Sequence, residues 1–184
     1  AETARLESAG IPIFFPKSHR LFGESIVVAV EETARFLQDQ WNLRPPVDCQ
    51  VHVLTDVFGF IADTVPRRFR VLVGFTKPLW RRRAERAFGI AGGWMLPWPG
   101  RMAVGVKPPD LLASPKTRLG ERLFEPVSDP TEKARHITCH ELTHAFSAHL
   151  RLPAWINEAL AMRAVDNVVG YPTVREETSA GRLP

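Results

Sequence analysis

The chain has little with which to cross-link itself. Its 184 residues include two cysteines, Cys49 and Cys139, enough for at most one bridge, so a disulfide framework is excluded and the fold must rest on its core. No apolar run approaches the roughly 18 residues that a membrane-spanning helix needs. Internal repeats and low-complexity tracts are also lacking, and the 16 prolines are scattered as punctuation. One domain over 1–184 is the simplest organisation, and the length suffices to bury a core. The first residues, "AETARLESAG", hold neither an initiator Met nor a basic-then-apolar leader. A processed exported form and a cytoplasmic one both remain compatible with this start.

Acidic charge is scarce in one place. Residues 67–86, "RRFRVLVGFTKPLWRRRAER", hold eight Lys or Arg against one acid, a surplus of +7, so the rest of the chain sums to −3 within a total of +4. A local patch speaks less for a phosphate-backbone partner than an evenly basic domain would. Nucleic-acid binding is therefore the lesser reading.

What is present is patterned. In 22–43, Ile26, Val30, Thr33, Leu37 and Trp41 recur at helical spacing, and Pro45-Pro46 follows, which predicts a long helix backing a sheet. Val47, Cys49, Val51 and Val53 alternate with polar neighbours, as in a half-buried strand over 47–56. "FRVLVGF" (69–75) is a second strand candidate, and 92–106 predicts a hairpin around Pro97, Pro99 and Gly100. Asp129, Pro130 and Glu132 form a capping box for a helix running to about Arg151. A further helix follows Pro153 and ends at Gly170. Residues from 171 onward lack periodicity and read as a tail.

On the first of these two helices lies "HITCHELTHAF", 136–146. At about 100° per residue, His140 and His144 lie one turn apart on one face, with Glu141 beside them. Two such imidazoles can ligate one tetrahedral cation. A zinc ion there would lower the pKa of its water toward about 7, and Glu141 would take the proton and later deliver it. His136 has the same spacing to His140 but no carboxylate after it, and reads as a polar residue at the rim. His149 and Cys139 point to other faces. A metzincin-type extension would need Gly at 147 and His at 150, where Ser147 and Leu150 stand.

The next helix contains "PAWINEALA", residues 153–161. "HELTH" followed by this stretch resembles the gluzincin zinc metallopeptidases, with their Trp-Leu-Asn-Glu-Gly-Phe-Ala-like motif, in the form of a compact peptidase-MA-like domain. The resemblance implies that His140, His144 and Glu158 bind Zn2+, that Glu141 is the catalytic base, and that Asn157 helps hold the two helices together. It implies an α+β, zincin-like fold in which 11–128 form a mixed β-sheet and backing helix. The active-site helix would be 129–151, the glutamate helix 153–170 and the tail 171–184. The implied activity is Glu-assisted hydrolysis of peptide bonds in a peptide or protein substrate.

The chain departs from better-known members. Ala159 replaces a Gly, and the spacing from His144 to Glu158 is shorter than in the aminopeptidase-N-like enzymes, where the count lands on Arg163. "AGGWMLP" lacks the glutamate of an aminopeptidase motif, which tilts the expectation toward endopeptidase cleavage. The edge strand along the cleft is expected in 92–106. Tyr171, His136 and Arg163 are candidates to stabilise an oxyanion, with Tyr171 the foremost. Asp166 reads as surface charge or as support for the site. A zincin-fold metal-binding or interaction module without turnover is the alternative reading, and nucleic-acid binding through 67–86 is a further one. Oligomeric state has no signal in the sequence.

Overall fold

A computed structural model describes residues 2–112 and 127–174. Five strands, β1 (Thr3–Ser8), β2 (Ile11–Pro16), β3 (Cys49–Val53), β4 (Gly93–Trp98) and β5 (Arg101–Val106), form one mixed sheet of order β1-β2-β3-β5-β4. The central β2, β3 and β5 are parallel, and both edges are antiparallel hairpin partners of their neighbours. Alternation sets the faces: Ile11, Ile13 and Phe15, then Cys49, Val51 and Val53, then Met102, Val104 and Val106 enter one core. The predicted strand over 47–56 is shortened, because Val47 lies exposed before it. The hairpin in 92–106 forms as expected, with Trp98 and Arg101 flanking its turn.

Three helices cover that face. The first, α1 (Arg20–Trp41), buries Ile26, Val30, Thr33, Ala34 and Leu37. It ends where Asn42 adopts a left-handed conformation, before the two prolines. Two further helices, α4 (Pro130–Ser147) and α5 (Ala154–Val169), complete the layer. The Asp129 carboxylate accepts the N–H groups of Thr131 and Glu132, capping α4. The returning half of the expected capping box is replaced, since Glu132 accepts the Tyr171 hydroxyl instead. A single 3-10 turn, Ala148–Leu150, and a left-handed Arg151 reverse the chain into α5, and Gly170 ends that helix at φ 85°. Arg135 ties the layer together, donating to Glu32 of α1 at 2.7 Å and to the Val168 carbonyl of α5 at 2.9 Å.

The other face carries α2 (Val57–Thr64) and α3 (Arg70–Ile90), with smaller clusters built on Leu54, Phe60 and Ala103 and on Val57, Ile61 and Ala84. Trp94, Leu96 and Trp98 of β4 pack into both. The expectation of a strand over 69–75 is overturned: these residues turn into and begin α3. A short apolar run does not distinguish strand from helix. The Ala-, Arg- and Glu-containing continuation through residue 90 favours helix, although Pro78 removes one ladder bond. Lys107, at the end of β5, donates to the Phe88 carbonyl in the last turn of α3 and lies 4.0 Å over the Phe88 ring, joining the helix to the sheet. Burial holds its ammonium below its usual pKa.

Cys49 and Cys139 are both free and buried. Burial pushes their thiols up to about 12 and about 11, which leaves them unreactive near neutral pH. Among the described residues no helix is long and apolar enough to cross a membrane. The tail expected from 171 is docked at its start, where Thr173 donates its N–H and hydroxyl to Asp166 at 2.8 and 2.7 Å. Asp166 is therefore not loose surface charge: it anchors Thr173, and its charge also reaches His136. Residues 175–184 of that tail, and 113–126 of the expected sheet unit, lie outside the described residues.

Candidate metal centre

The turn between α4 and α5 folds the second helix back along the first, so that Glu158, early in α5, meets the last turns of α4. His140 and His144, four residues apart, place their Nε2 atoms 3.0 Å apart. The Glu158 carboxylate lies 3.2 Å from His140 Nε2 and 3.4 Å from His144 Nε2. Among the described residues these three offer ligand atoms within 4.8 Å of one another. Four ligands at zinc's usual bond lengths of about 2.0–2.1 Å, placed tetrahedrally, sit about 3.3 Å from each other. The two carboxylate oxygens face one imidazole each, Oε2 toward His140 and Oε1 toward His144, and this donor set of two imidazoles and a carboxylate could hold a small cation such as zinc.

Burial differs across the trio. His144 is 7% exposed and its Nδ1 has no hydrogen-bond partner among the described residues, where packing orients the ring. His140 is half-buried and Glu158 is exposed, which leaves one side of the group open to solvent. Burial and the neighbouring His144 hold His140 below its usual pKa, with Glu158 opposing them, so the neutral imidazole that ligates metals is favoured.

Glu141 is directed at the sheet's edge. A Cβ built on Gly93 would stand 2.4 Å from Glu141 Cγ and 2.8 Å from its Oε1, so only glycine allows β4 to pass this close. Burial, then the charge of Glu158, raises the Glu141 carboxyl to about 7. Asn157 is hydrogen-bonded to Ser147 at 3.0 Å, a bridge from the end of α4 to the start of α5, while the Ser147 hydroxyl also donates to the Thr143 carbonyl. Ser147 and Gly93 were not singled out as site residues by the sequence. The motif spacing says nothing of a glycine almost fifty residues upstream, whereas a serine opposite an asparagine across a tight turn is a readable signal.

The other candidates fall outside the trio. His136 lies one turn before His140 and engages Tyr171, with His136 Nε2 3.0 Å from the Tyr171 hydroxyl, which in turn donates to Glu132 at 2.9 Å. Tyr171 is thus committed to Glu132 and His136 in this arrangement. His149 is exposed and bonded through Nδ1 to the Phe146 carbonyl. Arg163 is exposed farther along α5. No family model matches the chain, and no curated protein or solved structure is significantly similar to it.

Proposed function

We propose that the chain is a zinc-dependent peptidase of the gluzincin kind, a compact zincin-like domain that hydrolyses peptide bonds. The observation that carries this reading is the set of 3.0, 3.2 and 3.4 Å separations among His140, His144 and Glu158, with Glu141 beside them against β4, an edge strand among the described residues. His140 and His144 would hold zinc through Nε2 and Glu158 through its carboxylate. Zinc, when bound, supplies Lewis acidity toward a water and a substrate carbonyl.

The protein's own residues do the rest. Glu141 takes the proton of the attacking water on its carboxylate and passes it to the departing amine nitrogen. Gly93 keeps that carboxylate in place by leaving room for it. Among the described residues β4 is an edge with one hydrogen-bonded neighbour, and its outer N–H and C=O groups could add an extended peptide as a further strand. Such binding along the middle of a chain agrees with endopeptidase cleavage. Tyr171 would stabilise an oxyanion only after its hydroxyl leaves Glu132. Glu141→Gln is the direct test. It should retain the metal and the fold while cleavage of denatured casein falls about a thousandfold. Cleavage equal to the parent's would remove Glu141 from the mechanism.

A further inference from the structure

Helix α3 turns Val73, Trp80, Ala84 and Phe88 toward α2 and the β4–β5 hairpin. The opposite side is bare: Val71, Leu72, Phe75 and Leu79 are 83, 59, 88 and 85% exposed. At about 100° per residue these four fall within roughly 100° of arc. Arg82, Arg83 and Arg86, all exposed, prolong the same strip over the next turns. Arg67, Arg68 and Arg70 stand at its start, also exposed. The one acid between 67 and 86, Glu85, pairs with Arg81 on the flank at 2.9 Å. The strip is therefore apolar in its first half, cationic in its second, and cationic again at its entrance.

A partner for this face must accept large apolar side chains and several guanidinium groups at once. A bilayer surface with anionic headgroups does so, because phosphates lie directly above acyl carbon. A second copy would bring the same positive surplus against itself. A nucleic acid would satisfy the arginines and offer no bed for Phe75 and Leu79. We propose that α3 docks side-on to an anionic phospholipid surface. Val71, Leu72, Phe75 and Leu79 enter the headgroup–acyl boundary, and Arg82, Arg83 and Arg86 meet the phosphates. This proposal does not depend on the metal centre, which lies on the other side of the sheet.

The test is co-sedimentation of the full chain with vesicles of phosphatidylcholine alone and of phosphatidylcholine mixed with phosphatidylglycerol. Binding is expected to the mixed vesicles only, and to weaken as salt is raised. F75S/L79S should bind at least about a hundredfold more weakly, and R82Q/R83Q/R86Q roughly a hundredfold. Both variants should unfold at the parent's temperature, since every changed side chain is exposed. E141Q should bind as the parent does, which separates this result from the fate of the peptidase reading. No binding to the mixed vesicles, equal binding to both kinds, or binding untouched by F75S/L79S would overturn the proposal. So would a dimer abolished by F75S/L79S, or oligonucleotide binding at the same salt that survives it.

Discussion

The two faces of the sheet use apolar residues differently. On the α1–α4–α5 face, the apolar positions of β2, β3 and β5 close with Ile26, Leu37, Leu142 and Phe146 into one continuous core. On the α2–α3 face the clusters are small, and α3 leaves four large apolar side chains in water. The difference teaches that burial by a second layer gives side chains a fixed address, as it does for His144. The bare face keeps its apolar groups available.

Breaking each face in turn should give unequal costs. Phe146→Ala, within the large core, should lower unfolding free energy by about 3–5 kcal/mol in chemical denaturation. Phe75→Ala on α3 should change it by no more than about 0.5 kcal/mol. Comparable losses would mean that α3 is packed in solution.

Acid should act through the lesser face. His52 is stacked on Phe14 at 4.8 Å and edge-on to Phe60 at 5.6 Å, and burial, with Arg101 adding to it, brings its imidazole down to about 4. The unfolded chain takes up this proton near pH 6.5, so protonation favours unfolding. The His52 contribution should be full above about pH 6.5, fall as pH drops toward 4 and level off below that, while Glu141, raised to about 7, works in the opposite sense between about pH 4.5 and 7. His52 alone accounts for about 3 kcal/mol. In His52→Gln the fall between pH 7 and pH 4 should shrink by that amount, and an unchanged fall would exclude His52 as its source.

Smaller effects sharpen the metal side. Gly93→Ala should push Glu141 aside and lower peptide cleavage about a hundredfold, with zinc content unchanged. Asn157→Ala should cost about 1 kcal/mol of stability through its lost bond to Ser147. Loss of zinc in Gly93→Ala would show that β4 positions the ligands and not the carboxylate beside them.

Legibility in the sequence follows the same division. The ends of α4 and α5 could be read because caps are local: Asp129-Pro130 opens one helix, and Pro153 and Gly170 bracket the other. The hairpin was legible from Pro99-Gly100 between two runs. The hairpin of β1 and β2 is hard to read, although Ile11, Ile13 and Phe15 alternate after Ala9-Gly10, because each strand is short and β1 is mostly exposed. Residues 69–75 resemble a strand in sequence because exposed apolar residues carry no mark of their exposure. At the candidate metal centre, the meeting of His140, His144 and Glu158 could be expected from spacing and resemblance. The contact between Gly93 and Glu141 could not, since it arises only when β4 lies beside α4.

The measurement closest to the central claim is the zinc content of the purified chain after loading with zinc and removal of the unbound metal, compared with that of Glu158→Ala. The account predicts about one zinc per parent chain and little in the variant, with the variant still folded. A parent chain that holds no zinc, or a variant that holds as much as the parent, would contradict it.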